Sequence, residues 1–227
     1  MGWLGDPRLE MLLDRLHARS AAQSEELSSY FMTRARKGTL ARNEFDEQSH
    51  RFMSDKLVAL DRDKAQLCYQ LCRALRARRV VEAGTSFGVS TLYLAAAVRE
   101  NLREDGGMGV VIGTEHEPEK ARTARANFIE AGLSDWIELR EGDLRETLRD
   151  VGGPVDFMLV DIWTPMALPA LKRVAPHLRP GAIVVADNTR QFRAGYEDYL
   201  AFIADPENGL RTLTLPFDGG LELTVRG

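Results

Sequence analysis

From residue 79 onward, short apolar runs alternate with longer segments that have the period of an amphipathic helix. The predicted strands are 80–82, 110–114, 136–140, 155–160 and 182–186. The predicted helices lie near 89–100, 118–131, 143–149, 166–176 and 194–204. Strands and helices that alternate in this way form a parallel sheet with helical crossovers, so the pattern predicts an α/β fold. Near the end, 211–215 and 221–225 alternate about a glycine turn and predict a closing antiparallel hairpin.

The first 77 residues have a different pattern, without strand-like runs. Between residues 7 and 37, leucines and aromatic residues have helical spacing that is interrupted at Gln23-Ser24, which predicts two short amphipathic helices. Residues 43–60 carry apolar side chains among charges, Phe45 included, and 62–77 predict a more regular helix. The front third of the chain is therefore expected to be helical.

We interpret residues 1–77 as a helical extension and residues 78–227 as the α/β domain. The extension would cover one face of the sheet, pair with a second subunit, or form a lid over an active site. The pattern slightly favours the first two roles, and a homodimer is one expectation that follows.

Composition and charge limit the classes of function. The 227 residues are 44% hydrophobic, which suits one α/β domain with an extension. A net charge of −4 gives no general attraction to nucleic acid or to an anionic membrane. The chain has no apolar run near the ~20 residues that span a bilayer, and its first residues lack the features of a leader. These observations predict a cytoplasmic protein that binds neither nucleic acid nor membrane.

The segment from Val80 to Ser90 has the pattern of a strand, a glycine turn and a helix. Glycines at such a turn let the backbone approach a ligand, and the helix start offers free N–H groups. The turn lacks the second glycine of a dinucleotide fingerprint, where Ser86 stands, and the Gly-Lys-Ser/Thr of a phosphate-binding loop. Glu82 would repel a pyrophosphate and suits a ligand with positive charge. The alternative is a turn that only packs the helix on the strand.

Two further acids follow the next strands. Glu115 ends the second strand, where a carboxylate can accept hydrogen bonds from both ribose hydroxyls of an adenosine. The alternative role, a helix-start acid, is better filled by nearby glutamates. His116 is a candidate to flank the adenine. Asp143-Leu144 follows the third strand near the expected adenine edge, where Asp143 would accept from the adenine amine or cap the next helix.

Three oxygen-bearing side chains follow the fourth and fifth strands. Asp161 ends the fourth strand, and Asp187-Asn188 ends the fifth, at the same edge as the glycine turn. Two carboxylates and an amide at adjacent strand ends are suited to a hard divalent cation such as Mg²⁺. The alternative is a pair of acids that are solvated or paired with Arg190 or Arg193.

Together these motifs resemble the metal-dependent O-methyltransferases of the catechol and caffeoyl-coenzyme A type. The resemblance covers about half the chain, from Arg79 to Asn188. It implies a Rossmann-like class I methyltransferase sandwich with a seven-stranded, mostly parallel sheet and a closing hairpin. It implies S-adenosylmethionine as cofactor and Mg²⁺ or another divalent cation on Asp161, Asp187 and Asn188. The cofactor-binding residues that it implies are Glu82, Gly84, Thr85, Ser86, Ser90, Glu115, His116, Asp143, Leu144, Asp161 and Trp163.

The implied reaction is transfer of a methyl group to a small-molecule acceptor that has two neighbouring oxygens. One departure bears on it: the catechol enzymes have a base lysine after the tryptophan that corresponds to Trp163, whereas this chain has Thr164-Pro165. His50 and Lys56 are candidate replacements, and otherwise the catalytic residue is unassigned. Two alternatives are a non-catalytic S-adenosylmethionine-binding or oligomerising module and, with less support from the turn, a nicotinamide-dependent oxidoreductase.

Overall fold

The computed structural model describes residues 2–38 and 46–227. Its strands are β1 (Arg79–Ala83), β2 (Val110–Glu115), β3 (Ile137–Glu141), β4 (Val155–Val160), β5 (Leu178–Asp187), β6 (Leu210–Leu215) and β7 (Leu221–Arg226). Its helices are α1 (Pro7–Ala21), α2 (Ser24–Arg36), α3 (Glu47–Met53), α4 (Arg62–Ala74), α5 (Val89–Asp105), α6 (Pro118–Ala131), α7 (Leu144–Thr147), α8 (Thr164–Val174) and α9 (Glu197–Ala204). Within the described ranges, no helix has the length and apolar character needed to cross a membrane.

The seven strands form one sheet in the order β3-β2-β1-β4-β5-β7-β6. Strands β1 to β5 pair in parallel, and β7 pairs antiparallel with both β5 and β6. The predicted mostly parallel sheet and closing hairpin are therefore confirmed. The strand order reverses between β1 and β4, and such a reversal opens a crevice at the carboxyl ends of the two strands.

Two apolar layers enclose the sheet. One layer packs α1, α4, α5 and α6 on one face, and the other packs α7, α8 and α9 on the opposite face. Helix α1 buries its leucine stripe in the first layer, with Leu9, Leu12 and Leu13 at 1% exposure or less. Helices α1 and α4 of the front third thus lie on one face of the sheet, which is one of the roles considered for this segment. The division at residue 77 and the homodimer stay predictions.

Most predicted elements are confirmed, with differences at three places. Strand β5 begins at Leu178 because the pairing with β4 shifts register there, which accommodates Pro180-Gly181. Helix α7 ends early because the Arg140 guanidinium donates to the carbonyl of Thr147, 2.6 Å away, and so takes the acceptor of the next helical turn. Between residues 46 and 60 only α3 is helical, and the predicted apolar position Phe45 lies outside the described residues.

We predict that Leu12→Ala lowers the free energy of unfolding by about 2–5 kcal/mol, because it removes a fully buried side chain from the layer shared by α1 and α5. Met11→Ala is the matched control, since Met11 is 66% exposed on the same helix and its loss should change stability by about 0.5 kcal/mol or less. Urea unfolding measures both. Equal effects of the two variants would mean that α1 does not dock on the domain.

Candidate functional site

The crevice between β1 and β4 is formed by the glycine turn that follows β1. Gly84 has φ +99°, a left-handed conformation that favours glycine, and a Cβ there would overlap the backbone oxygen of Asp161. The backbone N–H of Thr85 donates to the carbonyl of Thr114 at the end of β2, 2.9 Å away. The turn is therefore fixed by close contact with both neighbouring strand ends.

Glu82 lies beneath this turn and is completely buried. Its carboxylate accepts hydrogen bonds from the hydroxyls of Thr85 (2.9 Å), Ser90 (2.6 Å) and Thr91. Burial raises the pKa of Glu82 more than these three hydrogen bonds lower it. Both carboxylate oxygens are engaged within the protein, so Glu82 supports the turn and contributes negative potential to the crevice instead of pointing into it.

Glu115, at the end of β2, joins the turn to the second strand. One carboxylate oxygen accepts from the backbone N–H of Ser86 at 2.7 Å, and the other accepts from the backbone N–H of Glu117 at 2.7 Å. An ionised carboxylate offers about four lone-pair sites, so about two of them are left for ligand hydroxyls. Ser86 itself has φ +50°, and this conformation directs its N–H toward Glu115. The geometry fits the predicted ribose-binding role.

The predicted adenine edge lies further along the same rim. Asp143 caps α7 through the backbone N–H of Arg145, and hydrogen bonds from the Arg145 side chain and backbone lower the pKa of Asp143 to about 2. Of the two roles left open for Asp143, the structure contains the helix cap. Leu144 is 3% exposed and packs in the core, so it presents only its backbone to the rim. His116 is exposed, with its ring 6.3 Å from that of His50.

The acid at the end of β5 pairs with a cation from the protein itself. The ammonium of Lys64, in the first turn of α4, lies 2.8 Å from Asp187 Oδ1 and 2.9 Å from Asp61 Oδ2. Burial works to lower the pKa of Lys64, but its hydrogen bonds to Asp187 and Asp61 raise it above the ordinary value. Burial, followed by the charges of Asp187 and Glu82, raises the pKa of Asp161.

As the alternative to a metal site, the sequence analysis predicted that an arginine pairs with the strand-end aspartates. Arg190 instead lies over Gly220, where a Cβ would overlap its side chain, and Arg193 is exposed. The pairing therefore exists, but Lys64 provides the charge.

Asn188 faces Asp187 with the nitrogen end of its amide. Nδ2 donates to Asp187 Oδ2 at 2.8 Å, and this turns the amide oxygen toward the backbone of Gly219. With Lys64 paired to Asp187 and the Asn188 amide nitrogen turned toward Asp187, the three side chains do not fit a divalent cation in this arrangement.

The segment after β4 has no base at the lysine position of the catechol enzymes. Trp163 is 39% exposed at the start of α8, and Thr164 packs against Gly195. Lys56 lies 3.0 Å from Asp55, and this hydrogen bond raises its pKa, which makes Lys56 a poor base. His50 lies 3.1 Å from Glu117, which follows the end of β2. The geometry assigns no catalytic base.

The structure thus brings the glycine turn, Glu115, Asp161 and Asp187 to one crevice, as the sequence predicts. Sequence reasoning missed Lys64 and Thr91. A signal for Lys64 was present, because positions 64, 68 and 72 share one helix face and Cys68 and Cys72 are both buried. A lysine on the buried stripe of a helix needs a buried acid as partner.

Comparison with known proteins agrees with this geometry. Residues 81–189 match a family model described as a methyltransferase domain. This region of the chain is therefore similar to methyltransferase domains. The match spans the glycine turn, Glu115 and both strand-end aspartates. The Rossmann-like class I fold predicted from the sequence is confirmed, and the match agrees with the predicted resemblance to methyltransferases.

Two curated relatives of this chain are named catechol O-methyltransferase. The chain is 33% identical over 132 residues to a catechol O-methyltransferase of Mycobacterium tuberculosis, with 58% of this chain and 57% of the relative covered. It is 32% identical over 127 residues to a catechol O-methyltransferase of Niastella koreensis, with 54% and 53% covered. The chain thus matches little more than half the length of these curated relatives.

A solved structure gives a longer match. The O-methyltransferase TomG of Streptomyces achromogenes, solved with S-adenosylmethionine, superposes with a TM-score of 0.66 at 25% identity. The alignment covers 81% of this chain and 91% of that chain. The similarity therefore includes part of the helical front third as well as the methyltransferase domain.

We predict that Gly84→Ala lowers the free energy of unfolding by about 1–3 kcal/mol more than Gly132→Ala does. Both glycines have positive φ, at +99° and +65°, so both variants are strained, but only at Gly84 would the new methyl group meet another backbone. Urea unfolding of the two variants isolates the cost of the close approach. If Gly84→Ala were no more destabilising than its control, the packing of the turn on Asp161 would be wrong.

Proposed function

We propose that this protein transfers a methyl group from S-adenosylmethionine to an oxygen of a small-molecule acceptor. The observation that carries the proposal is the placement of Glu115 and Asp161 on opposite sides of one glycine turn. The Glu115 carboxylate accepts a hydrogen bond from the backbone N–H of Ser86 and keeps lone pairs for a ligand. The Asp161 backbone lies against Gly84. A ribose on the first side and a cationic amino-acid group on the second would place adenosine and methionine along the crevice.

The electrostatics of the crevice support a cationic ligand. Glu82 and Asp161 provide negative potential at the crevice. S-adenosylmethionine carries an ammonium and a sulfonium, both attracted by this potential. A nicotinamide dinucleotide would bring a pyrophosphate to the same acids, and Glu82 disfavours it.

The relatives named catechol O-methyltransferase and the TomG complex support oxygen as the accepting atom. In the proposed step an acceptor oxygen attacks the methyl carbon, the new C–O bond forms, and the C–S bond breaks with its electron pair on sulfur. The acceptor reacts as an oxyanion that has lost its proton to solvent, because Thr164 cannot serve as base. The opposite charges of oxyanion and sulfonium cancel, so positioning the two reactants provides most of the catalysis.

The metal-assisted form of this reaction, in which Asp161, Asp187 and Asn188 would hold a divalent cation that makes the acceptor hydroxyl more acidic, stays a prediction. It would require that Lys64 leave Asp187 and that the Asn188 amide turn over. No step of the proposed mechanism is therefore routed through a metal.

We expect S-adenosylmethionine and S-adenosylhomocysteine to bind with micromolar affinity in calorimetric titration, and NAD not to bind. Glu115→Gln should weaken the binding of both by about tenfold or more, because it loses charge-assisted hydrogen bonds to the ribose. Glu119→Gln is the matched control, since Glu119 is an exposed acid at the start of α6 that pairs with Arg122.

Turnover is then measured with a panel of small hydroxylated acceptors. Methyl transfer separates an enzyme from a module that only binds the cofactor. Binding of NAD alone, or a Glu115→Gln protein that binds S-adenosylhomocysteine as tightly as the wild type, would contradict the proposed site.

A further inference from the structure

The side chain of Lys64 is built into the carboxyl edge of the sheet. Only 2% of it is exposed, and its ammonium lies between Asp187 and Asp61. Cys68 and Cys72 follow on the same face of α4 and are both buried in the apolar layer. Because this face packs on the domain, α4 holds Lys64 in place.

Both oxygens of the Asp187 carboxylate have a polar neighbour, and Oδ1 is buried in an ion pair with no hydrogen bond of good geometry. Oδ1 faces the Lys64 ammonium at 2.8 Å, and Oδ2 accepts from Asn188 Nδ2 at 2.8 Å. A magnesium ion would need to approach one of these oxygens to about 2.0–2.1 Å, with octahedral geometry. Next to Oδ1 it would meet a fixed positive charge, and next to Oδ2 it would meet an N–H group.

The Asn188 amide is held in this orientation by the turn that follows β5. Asn188 has φ +58°, and its amide oxygen lies against Gly219, where a Cβ would overlap it. The N–H groups of Arg190 and Gln191 both donate to the Gly219 carbonyl at 2.9 Å, which fixes the two turns together. Reversing the amide would place its oxygen against the Asp187 carboxylate, which can only accept.

We propose that the ammonium of Lys64 takes the place of a divalent cation in this site, and that the protein binds no metal there. Asp161 and Asp187 lie at adjacent strand ends and need a positive charge between or beside them. Lys64 supplies that charge from a side chain of the protein itself, so no metal ion has to be bound and dehydrated. Asp187 then serves as the ion-pair partner of Lys64 within the fold, and Asp161 is the aspartate that can interact with the cofactor.

The inference also limits the chemical class of the methyl acceptor. This step rests on the proposed function. A bridging metal would select two neighbouring oxygens that chelate it. Among the described residues the Lys64 ammonium pairs with Asp187 and Asp61, and an ammonium group cannot be chelated by the two oxygens of an acceptor. The acceptor class is then a molecule with one ionisable hydroxyl, and a second adjacent oxygen is not required.

The test is Mn²⁺ binding, followed by electron paramagnetic resonance of the free ion, in the full-length wild type and in Lys64→Met. We expect the wild type to leave the Mn²⁺ signal unchanged. Lys64→Met vacates the space beside Asp187 and should bind Mn²⁺ at least about tenfold more tightly than the wild type. The double variant Lys64→Met/Asp187→Asn should lose this gain. Lys172→Met, which removes a lysine of α8, is the control for the lost charge.

Wild-type protein that binds Mn²⁺ stoichiometrically, with the binding abolished by Asp187→Asn, would overturn the inference. A folded Lys64→Met protein that gains no Mn²⁺ affinity would overturn it too, since Lys64 would not be what excludes the metal. If Lys64→Met does not fold, the wild-type titration decides alone. None of these measurements needs an acceptor or the cofactor, so they can fail or succeed independently of the proposed methyl transfer.

Discussion

The buried ion pair between Lys64 and Asp187 is the contact on which the two parts of this chain depend. It joins the helical front third to the carboxyl edge of the sheet, next to the crevice at the ends of β1 and β4. Breaking a buried pair by removing one partner costs about 3–5 kcal/mol, because the other charge is left without compensation. A pair in this position therefore constrains both the stability of the fold and the charge of the site.

The rest of the crevice follows from close approaches between strand ends. Gly84 allows β1 to meet the backbone of Asp161, and the Ser86 N–H meets Glu115. Glu82 anchors the turn from below through three hydroxyl groups. A cationic ligand in this crevice would lie above buried negative charge, with backbone positions fixed before it arrives.

Local patterns were enough to predict most of the fold. Each strand from β1 to β4 is a short apolar run bounded by turn residues, so its place could be predicted to within about two residues. The start of β5 could not, because Pro180-Gly181 has the signature of a turn and only the register shift against β4 explains how the strand continues through it. The early end of α7 depends on Arg140 from another element, which no local pattern contains.

The sequence was enough to predict which residues lie at the site, but not which hydrogen bonds and ion pairs they form there. Glu115, Asp161 and Asp187 follow strands whose carboxyl ends must meet at one edge, so their proximity could be inferred. The partner of Asp187 lies far away in the sequence, in a helix that carries no motif, and the charge balance therefore could not be read from the domain alone. Glu82 is chemically suited to face a cation, yet the hydroxyls of its own turn bury it completely.

A crystal structure of the protein grown with S-adenosylhomocysteine and Mn²⁺, with anomalous data collected for manganese, tests the central claim most directly. The account predicts that the ribose hydroxyls bind Glu115, that the ligand ammonium lies near Asp161, and that Lys64 remains on Asp187 with no anomalous peak. A manganese peak coordinated by Asp161, Asp187 and Asn188, with Lys64 displaced, would contradict it.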